Sequence, residues 1–236
     1  RNRARFSSVY YGWWLVGAAV VCQFTFLSVG QVVVGVLMSP VVDEMGWQIW
    51  QFTLGASMGT AVGALSGMIA GPVLDRKGPR PLLLLGATVC SLCLWGLSLQ
   101  SSLWVFWSLC VLNGLIGWSF FGPQVVSSTL SKWFVQKRGW ALAVGSAGVS
   151  LGGLITPLAM TAVVAWSGWR GGYMALAVFV AVVIIPIAFI MRRQPEDHGL
   201  LPDGERSNIK SAVPAKSRAS NNDRSLTLGH ALHTRA

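Results

Sequence analysis

Charged residues are scarce in this sequence. They make up 11% of its 236 residues, whereas a soluble globular domain carries about 25%. Only ten of them lie between positions 12 and 191. This shortage excludes a soluble domain, and the apolar fraction of 53% excludes disorder over most of the length. The sequence therefore predicts a protein embedded largely in lipid.

Long uncharged stretches separate the few charges, and each can form a helix that crosses about 30 Å of hydrocarbon. Six stretches qualify, at residues 12–38, 49–70, 81–99, 103–126, 140–165 and 172–191. We therefore predict an all-α membrane protein whose six-helix transmembrane bundle covers residues 10–191. A cytoplasmic segment at 1–9 precedes this bundle.

Residues 192–236 differ in composition, with eight basic and five acidic side chains and several serines. This composition is typical of a flexible linker, and we expect a cytoplasmic linker that leads toward a seventh helix missing from this chain. Because the sequence opens on Arg1 rather than Met and ends where a second half would begin, we expect a fragment of a longer protein.

Catalytic and metal-binding side chains are also scarce. The predicted spans contain no Asp, Glu, His or Lys, so a nucleophile with its base cannot be assembled there. Cys90 and Cys93 have the spacing of a redox pair but lack a surrounding βαβ pattern, and we interpret the four cysteines as buried thiols. We therefore predict no enzymatic activity, no metal and no cofactor.

Basic residues indicate the orientation of the bundle. Eleven of the twelve up to position 193 fall on one side of the predicted membrane, and only Arg170 falls on the other side. We expect the protein to lie in the inner or plasma membrane of the cell. The positive-inside rule then places both ends of the segment in the cytoplasm. We interpret the net charge of +10 as a topology signal and as contact with anionic lipid, not as nucleic-acid binding.

Three kinds of span follow one another in the same order twice: one with amides, one rich in glycine and one almost wholly apolar. Spans one and four contain amides, namely Gln23, Gln31, Asn113 and Gln124, and spans three and six are almost wholly apolar. Spans two and five are rich in glycine. Their expected packing positions are Gly55, Gly59, Gly63, Gly67, Gly145, Gly148 and Gly152, with Gly71 continuing the first series. Small residues at every fourth position let helices approach closely, while amides favour a wet cavity or a polar partner. The order predicts a 3+3 inverted repeat, although glycines and occasional amides also occur in any polytopic protein.

The loop between spans two and three carries a recognisable motif. Its residues Gly71, Asp75, Arg76, Gly78 and Arg80 resemble the cytoplasmic signature of the major facilitator superfamily. In that superfamily the loop acts as a conformational latch, and Asp75 is placed to meet a helix N-terminus or an arginine. The alternative is an ordinary positively charged loop.

A second resemblance narrows the family. Phe121, Gly122 and Pro123 with Trp133 and Phe134 resemble the monocarboxylate and oxalate/formate transporter branch, as do the basic residues at 137–138 and the glycine-rich span five. The resemblance implies the N-terminal half of a twelve-helix fold, which works with a C-terminal six-helix half that this chain lacks.

This resemblance implies a secondary transporter, a symporter or an antiporter, for small organic anions such as mono- or dicarboxylates. The expected substrate-binding residues are Gln23, Gln31, Asn113, Trp118, Phe121 and Gln124. For each amide, a hydrogen bond between helices is the alternative role. Two other functions stay open, a carrier of another substrate class such as a drug or sugar, and a stand-alone six-helix channel or scaffold.

Overall fold

The computed structural model describes residues 11–30 and 32–191, and all of them belong to one compact unit. The helices are α1 (Tyr11–Gly30), α2 (Val32–Met45), α3 (Ile49–Lys77), α4 (Pro79–Leu99), α5 (Leu103–Leu112), α6 (Pro123–Trp133) and α7 (Arg138–Ile190). The described part of the chain contains no β-strand, so the all-α prediction is confirmed. The predicted segments at 1–9 and 192–236, together with Gln31, lie outside the described residues.

Several helices are long and apolar enough to cross a membrane. Four qualify directly, at Tyr11–Met45, Pro79–Leu99, Leu103–Trp133 and Arg138–Ile190. A fifth span results if α3 is counted as one crossing despite a 44° bend between Met68 and Ala70. The described residues therefore have the long apolar helices of a multi-pass membrane protein.

The longest helix, α7, turns back on itself at Gly168. The backbone there leaves helical geometry, with φ 70° and ψ 177°. A Cβ atom on Gly172 would lie 3.1 Å from Val164 Cγ2 and 3.2 Å from Met160 Cε. Twelve residues of straight helix would separate Met160 from Gly172 by about 18 Å. Residues 138–167 and 169–190 are therefore the two arms of a helical hairpin.

Contacts at the start of α1 lead to the same conclusion. The Tyr11 hydroxyl donates to the Ile190 carbonyl at 2.6 Å, and the rings of Trp13 and Trp140 lie 5.6 Å apart. Tyr11 and Trp13 are neighbours on one helix, so the two ends of α7 lie close together. A straight helix of 53 residues would hold those ends about 80 Å apart.

The first arm of α7 packs closely on α1 through three glycines. A Cβ on Gly148 would overlap the Val20 carbonyl oxygen and would lie 2.8 Å from its carbon. A Cβ on Gly152 would lie 2.7 Å from the Phe24 carbonyl oxygen, and one on Gly145 would lie 3.6 Å from the Ala19 side chain. Small residues here let two backbones touch, which is a main source of helix association in lipid.

The glycines of α3 face a different partner, the chain from α5 to α6. A Cβ on Gly55 would lie 2.7 Å from Phe106 Cε1, and one on Gly59 would lie 2.7 Å from the Cys110 carbonyl oxygen. Gly63 faces Ser119, Gly114 and Trp118, and Gly67 faces the Gln124 amide. Gly71 differs, since a Cβ there would meet nothing within 4 Å.

Polar contacts link three helices at the end of the bundle opposite Tyr11. Trp169 Nε1 donates to Glu44 at 2.7 Å, and the Arg170 guanidinium lies 3.7 Å from the same carboxylate. Arg170 also donates to the carbonyls of Ser98 at 3.1 Å and Gln100 at 3.3 Å. These bonds satisfy carbonyls that the end of α4 leaves without helical partners.

Candidate functional site

The helix between Leu103 and Trp133 is interrupted in its middle. A π-helical turn at Asn113–Gly117 and a 3₁₀ turn at Trp118–Phe121 separate α5 from α6. Gly122 is extended, and Pro123 begins α6, where its missing N–H removes no helical bond. The Ser119 hydroxyl donates to the Gly114 carbonyl within the break. Irregular backbone at membrane depth is tolerated only inside protein or beside a cavity.

The break lies halfway along its span. Trp118 is the midpoint of Leu103–Trp133, and Gly63 is the midpoint of α3, Ile49–Lys77. Phe26 lies two residues from the midpoint of Tyr11–Met45. The three positions therefore share the central layer of the bundle, the depth at which transporter folds place substrate sites.

Three adjoining cavities surround this layer, and Thr60 lines all of them. We call the three cavities together the central groove. One has a volume of about 50 Å³ and includes Asn113, Cys110, Phe106 and Trp118 among its lining residues. The second, of about 290 Å³, is lined by Phe26, Thr60, Gly63, Ala64, Trp118, Ser119, Gly122, Pro123 and Gln124. The third, of about 650 Å³, is lined by Gly30, Val34, Gly35, Thr53, Ala56, Ser57, Thr60 and Ala61. Among the described residues that line the groove, none is charged.

Three of the predicted substrate-binding residues line this groove, namely Asn113, Trp118 and Gln124. Gln23 is only 2% exposed, and its Oε1 atom has no hydrogen-bond partner among the described residues. The Oδ1 atom of Asn113 is also buried and has no hydrogen-bond partner among the described residues. A buried acceptor without a partner is costly, so both atoms favour a bound water molecule or ligand nearby.

Phe121 does not line the central groove. Its ring is fully buried in the hydrophobic core. Trp118 is half-buried, and its indole N–H requires a polar partner. The Phe121 side chain has no polar atom that needs such a partner. Full burial therefore costs Phe121 no hydrogen bond. Phe121 is therefore not among the residues that line the three cavities of the central groove.

Several lining residues escaped the sequence analysis, among them Phe26 and Thr60. Phe26 follows Gln23 by three positions, so helical spacing places both on neighbouring faces of α1. Thr60 follows Gly59 directly and lies beside the packing face of α3. The sequence pattern marks Gln23 as polar and Gly59 as a packing glycine. Phe26 and Thr60, which lie beside them, resemble ordinary residues of a helix interface.

The predicted latch makes contacts with two other helices. Asp75 Oδ1 accepts from Lys132 Nζ at 2.8 Å, which joins the end of α3 to the end of α6. The Arg80 guanidinium donates to the Met191 carbonyl at 2.7 Å and to the Phe189 carbonyl at 3.0 Å. Lys132 is thus one partner of Asp75, and this ion pair links α3 to α6.

The remaining latch positions have distinct settings. Gly78 has φ 79°, which favours glycine, and it joins α3 to α4. Arg76 is exposed in the last turn of α3, where a positive charge complements the helix dipole. Gly71 has open space beside its Cα atom. The loop is therefore held at Asp75 and Arg80, at the same end of the bundle as Tyr11 and Ile190.

Comparison with known proteins places the chain in a family. The membrane sensor protein UhpC of Escherichia coli is 33% identical over 146 residues, which are 60% of this chain and 32% of that protein. The riboflavin transporter RibJ of Trypanosoma brucei brucei is 29% identical over 177 residues, which are 73% and 32% of the two chains. The phosphoglycerate transporter protein of Salmonella typhimurium is 26% identical over 170 residues, which are 70% and 36%. The chain spans about a third of the length of these curated relatives. The family model of the Major Facilitator Superfamily matches residues 20–233, and the chain belongs to that family.

Proposed function

We propose that this chain forms the N-terminal half of a secondary transporter that moves small organic anions, mono- or dicarboxylates, across the cell membrane by alternating access. The observation that carries the proposal is the central groove, which lies at mid-span beside a broken helix and is lined by amides, hydroxyls and aromatic rings. Family membership supports the transport mechanism. In this mechanism the bundle rocks against a second, C-terminal six-helix bundle.

The proposed half contains six crossings related by an inverted repeat. The crossings are α1 with α2, α3, α4, α5 with α6, and the two arms of α7. The first three crossings form one triplet and the last three form the other. The glycine-rich helix of each triplet packs on the amide-bearing helix of the other. Thus α3 contacts the chain from α5 to α6, and the first arm of α7 contacts α1. A two-fold axis between the triplets would produce such an exchanged pairing.

We also propose that both ends of this half lie in the cytoplasm. Tyr11 and Ile190 are in contact, which fits an even number of crossings. Arg80 joins the same end through its bonds to the last turn of α7, and Lys132 joins Asp75. Clustered basic residues at one end favour the cytoplasmic side.

The lining of the groove supports a carboxylate as substrate. The side-chain amides of Gln124 and Asn113 line the groove and can donate to carboxylate oxygens. One relative is named for phosphoglycerate, an organic anion. Another is named for riboflavin, and the uncharged lining also favours a second candidate, a carrier of larger neutral compounds.

Competition for uptake separates these candidates. In proteoliposomes that contain the full-length protein, we expect labelled lactate or oxalate to accumulate and unlabelled carboxylates to compete. Gln124→Ala should raise KM about tenfold, because a hydrogen bond to a charged group contributes about 1.5 kcal/mol. Thr88→Ala, which changes an exposed side chain of α4, serves as the control. Competition by neutral sugars or drugs alone would contradict the proposal.

We further propose that Asp75 and Lys132 bias the alternating-access equilibrium. An exposed ion pair contributes at most about 1 kcal/mol, so Asp75→Asn should change the ratio of inward to outward accessibility about fivefold. The measurement is the labelling rate, from each side, of a cysteine placed in the groove by Ala64→Cys.

Two variants control this experiment. Asp43→Asn removes a carboxylate near the opposite end and should leave the labelling ratio unchanged. The exchanged pair Asp75→Lys with Lys132→Asp should restore the original ratio. Identical labelling rates in Asp75→Asn and the parent protein would show that the pair does not act as a latch.

A further inference from the structure

Two aromatic rings face each other across the middle of the bundle. Phe26 comes from α1 and Trp118 from the break between α5 and α6, and their ring centroids are 5.1 Å apart with planes inclined at 59°. Both side chains are half-buried, and both line the cavity of about 290 Å³. Each ring therefore leaves part of its surface toward the cavity.

Two glycines hold these rings in place. A Cβ on Gly63 would lie 3.2 Å from Trp118 Cη2, and a Cβ on Gly122 would lie 3.1 Å from both Cδ2 and Cε2 of Phe26. Each ring thus rests close to a backbone that carries no side chain. A larger residue in place of either glycine would therefore crowd the ring beside the cavity.

The polar groups around the rings are few and uncharged. The hydroxyls of Thr60 and Ser119 donate to the carbonyls of Ala56 and Gly114, so both donors are already used. The Gln124 side chain is exposed and makes no hydrogen bond within the described part of the chain. The cavity therefore offers two ring surfaces and one available amide, and its volume is near the lower limit of small-ligand pockets, about 300 Å³.

A compact aliphatic anion can bind the amide of this cavity but leaves both ring surfaces without a contact. A ligand with a planar ring and one polar group uses the rings and the amide together. We infer that Phe26 and Trp118 form a stacking site for the ring of an aromatic carboxylate, with Gln124 donating to its polar group. The inference rests on the proposed function, since it names the class of organic anion that the transporter carries.

Two ligands of similar size test the stacking site. Benzoate and cyclohexanecarboxylate have the same charge and ring size, but only benzoate has a π-system. We expect calorimetric titration of the purified full-length protein to show benzoate binding about fivefold to tenfold more tightly, as stacking energies imply. In Trp118→Leu and in Phe26→Leu this ratio should fall to about one, whereas Trp118→Phe should keep most of it.

Trp95→Leu is the matched control, because it removes an exposed tryptophan from the outer face of α4. The control should keep the parent ratio. An unchanged ratio in Trp118→Leu and Phe26→Leu, or no preference for benzoate in the parent protein, would overturn the stacking site.

Two further ligands separate this inference from the proposed function. If benzoate, cyclohexanecarboxylate and acetate all bind with no ring preference, the anion proposal stands and the stacking site fails. If benzamide binds as tightly as benzoate in the parent protein and loses affinity in Trp118→Leu, the stacking site stands and the anion proposal fails. If none of the four compounds binds, both fail.

Discussion

Replacing Gly148 by alanine is expected to destabilise the bundle by on the order of 3 kcal/mol, the upper end of the cost of overpacking. The added methyl group would overlap the Val20 carbonyl oxygen and would lie 3.0 Å from Val20 Cα. All three of the nearest atoms belong to the backbone of α1, so no side chain can rotate away. The first arm of α7 must then separate from α1 along the contact that Gly145 and Gly152 share.

Thermal unfolding of the purified protein in detergent measures this effect. A loss of that size corresponds to a fall in Tm of about 6 to 12 °C for a domain of this length. Gly139→Ala is the control, because it changes a glycine of the same helix whose Cβ would meet nothing within 4 Å. Equal Tm values for Gly148→Ala and Gly139→Ala would contradict the close contact between α1 and α7.

The glycine spacing predicts which face of a helix approaches another backbone, but it does not identify the partner. Gly59 and Gly148 both belong to series read from the sequence, and both lie against backbone atoms of another helix. The partner depends on how the triplets are arranged in space. That arrangement is a property of the tertiary fold, because a small residue fits against any helix that presents a complementary surface.

Hydropathy locates long apolar helices but gives no sign of where they break. Residues 103–126 form one uncharged stretch, yet the helix changes form at Asn113–Gly117. Neither Asn113 nor Gly114 forbids a continuous helix by itself. The π-helical turn depends on contacts with α3 and on the Ser119 bond to Gly114, and these contacts join residues far apart in the sequence or across the break.

Aromatic residues show the same limit at the candidate site. Trp118 and Phe121 lie three positions apart and have similar local sequence surroundings, yet only Trp118 lines the groove. Phe26, which contacts Trp118, resembles one of many apolar residues in its span. Sequence patterns therefore indicate some of the amides that line the groove, while side-chain orientation depends on packing between helices.

Gly114 gives the sharpest test of how the broken helix is held. A Cβ on Gly114 would overlap the Gly59 carbonyl oxygen and would lie 2.6 Å from Gly59 C and 2.8 Å from Gly59 Cα. Gly114→Ala should therefore lower stability by on the order of 3 kcal/mol, as in Gly148→Ala. Gly17→Ala, an exposed position of α1 with nothing within 4 Å of its Cβ, is the control.

Transport should distinguish Gly114→Ala from Gly148→Ala. Gly114 lies in the turn that precedes Trp118, so separation from α3 displaces the ring and the lining of the central groove. Gly148 contacts α1 at Val20, about one and two-thirds helical turns from Phe26. Per folded molecule, we expect Gly114→Ala to reduce uptake at least tenfold, since misplacement of about 1 Å is enough for a large loss, and Gly148→Ala to reduce it less. If uptake falls equally in both variants, the break does not position the groove, and its residues act only in packing.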